Sequence, residues 1–315
     1  MTAQKVAVIG AGQVGATTAQ RILESNLADV ALIDVIEGLA EGRALDMMQS
    51  APVLGIDRNV AGGTDLSLLE GSDVVVVTAG RARKPGMSRE DLLSANAEIV
   101  GGISETVAQH APDSKIIVVT NPLDAMTYLV LKKTRFSPER VMGMAGVLDS
   151  ARFAFFVAEE LRVPPSQVEV LVLGGHGDLM VPLSRLATVG GVPISELLPP
   201  ERIGAIVERT KSGGAEVVAL LKSGSAFYAP SAAAMKMVDS ILNDTGAVVV
   251  ASVFLGGEYD LEDVTLGIPV RLGQSGIKER LELTLTPDEK KALTNSAHKV
   301  RESVYWLESK GFLEG

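Results

Sequence analysis

The 315-residue sequence has no cysteine and only three histidines, and these scarcities narrow the chemistry before any motif is read. Without cysteine there is no disulfide framework, no thiolate nucleophile and no cysteine-ligated metal, and no metal site is expected. Positive charge is in deficit: 29 lysines and arginines stand against 39 aspartates and glutamates, a formal net charge of -10. That balance argues against nucleic acid or anionic lipid as a partner, since both want a basic face. Long apolar runs are missing too. The candidate from Ala247 to Leu255 is far short of the ~20 residues that a membrane span requires, so no membrane association is expected. Only Met1 to Lys5 precede a strand-like run, which leaves no room for a charged, apolar and cleavable leader, and a cytoplasmic protein is expected. Apolar residues, by contrast, make up 46% of a chain long enough for two domains, ample for buried cores.

VAVIGAGQVG (Val6 to Gly15) runs from a β-branched strand into G-x-G-x-x-G, with Ala16 to Leu27 reading as the helix behind it. Gly10 suits a tight turn, Gly12 a close backbone approach to a pyrophosphate, and Gly15 tight helix-to-strand packing. The whole turn, Gly10, Ala11, Gly12, Gln13, Val14 and Gly15, is therefore assigned to a dinucleotide, whose phosphates the helix N-terminus favours. A second strand, Asp29 to Ile33, ends in Asp34, 19 residues beyond Gly15 and placed to accept hydrogen bonds from an adenosine ribose. A loop or helix-capping carboxylate is the bland alternative. No basic residue follows in VIEG, so NAD is favoured over NADP.

Strands and helices then alternate. Asp73 to Thr78, Lys115 to Thr120 and Val141 to Ala145 read as buried parallel strands, giving an α/β, doubly wound parallel Rossmann sheet over residues 1–146. Ligands bind such sheets at the carboxyl ends of strands, which singles out the loops after Thr78, Thr120 and Ala145. The first of these, AGRARKPGMSRED, concentrates Arg81, Arg83, Lys84 and Arg89 around Pro85-Gly86. A positive loop on a negative protein reads as an anion trap able to close, or else as a solvated loop kept polar.

Residues 147–315 read as an α+β substrate and catalytic domain. A helix is expected from Ser150 to Leu161 with Asp149 before it, and another from Glu201 to Lys222 broken at Gly213-Gly214. Three later strand-like runs lead to a final helix from Pro287 to Lys310. Within this half, LVLGGHGDLM hangs His176 from a glycine-rich turn, and histidine is the side chain best matched to trading protons near neutral pH. Asp178, two residues on, is at first sight its partner. His110 and His298 have no motif and read as structural or exposed.

GAGQVG, Asp34, RKPGMSRED, VVTNP, LDSARF and GGHGD occur in an order and spacing that resemble the lactate/malate dehydrogenase family, across nearly the whole chain. The resemblance implies that His176 is the proton acceptor and donor, with Asp149 rather than Asp178 on its imidazole. It implies that Arg152 holds the substrate's C1 carboxylate, that Arg89 polarises the reacting carbonyl, and that Asn121 touches substrate and cofactor. Asn96, Val119 and Thr120 would lie along the NAD. Arg83 takes the position that reads the group on C3, where lactate-specific members carry glutamine, so the implied substrate is the dicarboxylate malate/oxaloacetate. Gly175 stands where many lactate members have glutamate, which sides with the same substrate. A homo-oligomer, dimer or tetramer, is expected. The alternatives are lactate or another 2-hydroxy acid as substrate, or a non-catalytic dinucleotide sensor on the same fold.

Overall fold

Strands without a polar face have nowhere to put water, and the all-valine run Val74–Val77 is buried along its whole length beside Val6–Ile9. The structure, a computed structural model, describes residues 4–81 and 87–314. Arg83 and Lys84 lie outside the described residues. In chain order the first half comprises β1 (Lys5–Ile9), α1 (Gln13–Glu24), β2 (Asp29–Ile33), α2 (Leu39–Leu54), β3 (Val60–Gly63), β4 (Val74–Val77), α3 (Arg89–His110), β5 (Lys115–Val118), α4 (Leu123–Thr134) and β6 (Val141–Gly143). All pairs among β1 to β6 are parallel, in the order β3-β2-β1-β4-β5-β6. The order reverses direction between β1 and β4, the place where such sheets take their ligands.

The second half begins with α5 (Ala145–Leu161). Short strands follow: β7 (Val168–Glu169), β8 (Val172–Leu173), β9 (Val181–Pro182), β10 (Thr188–Val189) and β11 (Val192–Pro193). Then come α6 (Ile194–Leu197), α7 (Pro200–Leu221), α8 (Tyr228–Leu242), β12 (Val248–Gly256), β13 (Glu262–Gly273), β14 (Gly276–Arg280) and α9 (Pro287–Ser309). β12 pairs with β6 antiparallel through Ser252 and Gly143, so β12 to β14 extend the first sheet to nine strands. Two of the three expected strand runs appear as β12 and β13 and the closing helix as α9, but the run expected from Arg280 to Leu285 is corrected: β14 precedes it at Gly276–Arg280, paired back onto β13, and these strands are welded to the parallel sheet.

Two core clusters cover opposite faces of this sheet. One includes Ile22 of α1 with Met237 and Ile241 of α8; the other joins Leu93 and Val100 of α3 to Met126 and Leu129 of α4 and Leu307 of α9. A third sits under α5, where Phe153, Phe156 and Val157 meet Val172, Met180, Ile194 and Ile206. Each fully buried side chain of this size contributes roughly 1.5–3 kcal/mol, which is what holds α5 against the β8–β9 hairpin.

Two helix expectations are corrected. α5 starts at Ala145, so Asp149 lies within it and not before it; Gly146, where a Cβ would collide with Val250, lets the first turn press onto β12. α7 runs unbroken through Gly213 and Gly214, because α5 lies against them: a Cβ on Gly213 would sit 3.4 Å from both Arg152 Cδ and Phe156 Cε2. Among the described residues no helix is long and apolar enough to cross a membrane.

Candidate active site

At the carboxyl end of β1 the chain turns on Gly10, whose φ of +102° and whose hydrogen, 2.6 Å from Ala79 N if replaced by a Cβ, admit no side chain. A Cβ on Gly15 would overlap the Gly10 carbonyl oxygen, which is how α1 packs so close to the strand. Gly12 is the opposite case. It caps α1 with no side-chain hydrogen bond, and nothing lies within 4 Å of where its Cβ would be. This open cradle over unpaired helix N–H groups fits a pyrophosphate. Asp34 is next to it: Ala11 N donates to its Oδ2 at 2.6 Å and Ile36 N to its Oδ1 at 3.0 Å. The exposed Val35 and Ile36 flank that carboxylate with apolar surface that the sequence reading passed over.

Asn96 is buried in α3 and works as a clamp. Its Oδ1 accepts from Arg81 N at 2.7 Å, and its Nδ2 donates to Asn121 O at 2.6 Å and Arg81 O at 3.2 Å. Thr120 Oγ1 donates to Ala79 O at 2.7 Å. The loops after β4 and β5 are thereby tied together under the cleft.

The reacting end is assembled from four distant segments. α5 places Asp149 and Arg152 one turn apart on the same face, and Arg152 Nη1 donates to Asp149 Oδ1 at 3.3 Å. The other carboxylate oxygen of Asp149 is 2.9 Å from His176 Nδ1. Asp149 is only 2% exposed, against 15% for His176 and 16% for Arg152. Asp178 is exposed and is not the imidazole's partner. With Nδ1–H on Asp149, the neutral ring turns the Nε2 lone pair toward the cleft. Burial pushes His176 toward its neutral form, but the charge and hydrogen bond of Asp149, aided by Asp124, outweigh burial and hold the imidazole above its ordinary value. Burial draws Arg152 below its ordinary range, against the opposing Asp149 carboxylate.

The turn that carries His176 is pinned from three sides. Asp124 of α4 is buried and accepts from His176 N at 2.8 Å and from Ser252 Oγ of β12 at 2.7 Å. Burial raises its carboxyl above the usual carboxylate range, and those two hydrogen bonds oppose the rise. Ser296 Oγ of α9 accepts from Gly175 N at 2.8 Å, and Gly174 exchanges backbone hydrogen bonds with Gly267 of β13 at 2.9 and 3.1 Å. None of Asp124, Ser252, Ser296 or Gly267 was found from the sequence. The available signal was Asp124 itself, a carboxylate at the head of the otherwise apolar run LDAMTYLVL.

A cleft of about 310 Å³ collects Val14, Val119, Asn121, Arg152, His176, Lys211 and Gly214. Gly214 lies against the guanidinium of Arg152, whose Nη2 is 3.4 Å from its Cβ position, an ordinary packing contact. A second cleft of about 530 Å³ adjoins it through Asn121 and His176 and is bordered by Arg89. The Nη2 of Arg89 donates to Ser303 Oγ of α9 at 3.0 Å, and its charge acts on the neighbouring Glu302. Arg83 lies outside the described residues, and among the described residues no group of side chains could hold a metal ion.

Residues 4–143 match the lactate/malate dehydrogenase NAD binding domain, and residues 146–309 match the alpha/beta C-terminal domain of the same family. A malate dehydrogenase of Thermomicrobium roseum is 52% identical over 301 residues, covering 96% of this chain and 97% of the relative. One from Methanosarcina barkeri is 49% identical over 304 residues, covering 96% and 99%. Among solved structures, the malate dehydrogenase of Cryptosporidium parvum superposes with a TM-score of 0.96 at 40% identity, covering 98% of this chain and 100% of that one. The lactate dehydrogenase of the same organism, complexed with lactic acid and nicotinamide adenine dinucleotide, gives 0.95 at 40% identity, covering 98% and 99%. With both halves matched and the motifs folded into one cleft, the chain belongs to the lactate/malate dehydrogenase family.

Proposed function

We propose that the protein catalyses reversible, NAD-dependent conversion of (S)-malate to oxaloacetate, with His176 as acid and base. The observation that carries this is the Asp149–His176 contact, which points Nε2 into a cleft shared with Arg152. In oxidation, neutral His176 takes the proton of the C2 hydroxyl on Nε2 as the C2 hydride departs; in reduction the imidazolium returns it. NAD, when bound, supplies the hydride acceptor and donor. Asp149 stabilises the imidazolium and fixes its tautomer. Arg152 spends one N–H on Asp149 and keeps others for a bidentate hold on the C1 carboxylate. Asn121 faces the same cleft. Arg89 leaves Ser303 to meet the charge that grows on the C2 oxygen.

The dinucleotide is assigned to residues 1–146, held by Gly10, Ala11, Gly12, Gln13, Val14, Gly15, Asp34, Val119, Thr120 and Asn121, with Asn96 bracing the loops. Residues 147–315 supply His176, Asp149 and Arg152. Relatives near 50% identity named malate dehydrogenase support the dicarboxylate, as does the arginine at position 83. The near-equal likeness to a lactate dehydrogenase keeps a monocarboxylate as the second reading. Following NADH consumption with oxaloacetate against pyruvate separates them: oxaloacetate is expected to win, and preference for pyruvate overturns the reading. In Arg83→Gln the ratio of kcat/KM values should move toward pyruvate by about a hundredfold, the worth of a desolvated charge pair; an unchanged ratio removes Arg83 from substrate selection. Self-association is supported by the apolar Leu45, Val53 and Leu54 exposed on α2, and sedimentation would give the mass directly.

A further inference from the structure

Arg43 belongs to no motif, yet α2 folds it back onto the phosphate loop, where its Nη1 donates to the Gly12 carbonyl oxygen at 2.8 Å. That carbonyl also accepts the first helical bond of α1, from Ala16 N at 3.0 Å. It is an unfavourable place for a cation. The start of a helix carries a partial positive charge of its own, and anions, not guanidinium groups, are stabilised there. The first turn of α1 holds no acidic residue, and Arg43 forms no ion pair among the described residues. Asp34 brings a carboxylate to the same loop, but its oxygens are held by the N–H groups of Ala11 and Ile36 and not by Arg43. Two positive sources, the guanidinium and the start of α1, thus border the open side of Gly12, in a protein whose net charge is -10.

We infer that Arg43 is a positioning residue for the cofactor's pyrophosphate, an inference that rests on the dinucleotide reading above. It holds the first-turn carbonyl of the loop in place with one N–H, and its charge and remaining donors are left for phosphate oxygens over Gly12. Its charge adds to the partial positive charge at the start of α1, and both favour an anion over Gly12.

The test compares wild type, Arg43→Met and Arg43→Lys in the full chain, with NADH, ADP-ribose, NADPH and adenosine titrated by fluorescence or calorimetry. Arg43→Met keeps the aliphatic stem. It should weaken NADH and ADP-ribose about tenfold, the scale of one charge-assisted contact, and flatten the salt dependence of both. Adenosine affinity and kcat at saturating NADH should stay at the wild-type values, and Arg43→Lys should recover part of the loss. NADH affinity within twofold of wild type overturns the inference. So does an equal loss for adenosine, which means a deformed loop, or a loss confined to NADPH, which means a contact with the 2′-phosphate. Wild type that takes up no NADH overturns the dinucleotide reading itself.

Discussion

The two ends of the cleft are built on opposite principles. The glycine turn is backbone: three glycines set its path, the helix N–H groups behind it are left without side-chain caps, and a single contiguous stretch from Gly10 to Gly15 contains it. The reacting end is side chain: Asp149 and Arg152 come from α5, His176 from the β8–β9 turn, Asp124 from α4 and Ser296 from α9. A backbone site tolerates no added atom but asks for no particular acid or base. A side-chain site asks for particular groups, and must support each from elsewhere in the fold because buried charge without a partner is costly. Binding and chemistry are therefore separable, and substitutions should fail in different ways at each end.

The sharpest separation is expected from His176→Asn. It removes the proton carrier but leaves the loop alone, so kcat should fall by roughly 10²–10⁴ while NADH affinity holds; retained turnover would end the acid/base assignment. Asp149→Asn comes next and tests the tuning. Reduction of oxaloacetate needs the imidazolium, so in the wild type it should hold at and somewhat above pH 6.5, the ordinary histidine value, and decline as pH climbs through the raised pKa. Oxidation of malate should rise over the same range. Without the Asp149 charge, burial prevails and both inflections should move to lower pH, with rates lower at every pH; inflections left in place would mean that another group controls protonation. By linkage, the raised histidine pKa also adds stability that is fully present below its unfolded value and is lost as pH rises through the folded one. At the other end, Gly15→Ala forces the loop off the Gly10 carbonyl. NADH affinity should drop several-fold to about a hundredfold, with His176 still titrating as before, and melting should come earlier by an amount consistent with ~1–3 kcal/mol of overpacking. Intact NADH binding would show that the close approach at Gly15 is dispensable.

The same contrast governs what could be read from the chain. Gly10, Gly12, Gly15 and Asp34 were legible because a backbone site is written consecutively and its spacing is the geometry. The parallel strands were legible from runs such as VVVV. Antiparallel attachment of β12 to β6 was not, since it rests on the single pair Ser252 and Gly143. His176, Asp149 and Arg152 emerged through likeness to a family, while local propensity misplaced the start of α5. Gly213 and Gly214 read as a helix break because each glycine costs a helix about 1 kcal/mol. What outweighs that cost is an arginine lying across them from another helix, and no window of sequence contains it. Asp124 and Arg43 escaped for the same reason: their partners lie far along the chain.

The paired backbone bonds between Gly174 and Gly267 carry a mechanical consequence. They fasten the His176 turn to β13, and β13 is continuous through β12, β6, β5 and β4 with β1, the strand that ends in the glycine turn. The lateral offset between the two ends is thus counted out in strand spacings of ~4.8 Å, with its narrowest link at the single Ser252–Gly143 pair between β12 and β6. To misalign proton and hydride, the sheet would have to shear. Side chains around the sheet, such as Arg89 on Ser303, take no part in that count, so the spacing between the two ends is set by strand pairing and not by them.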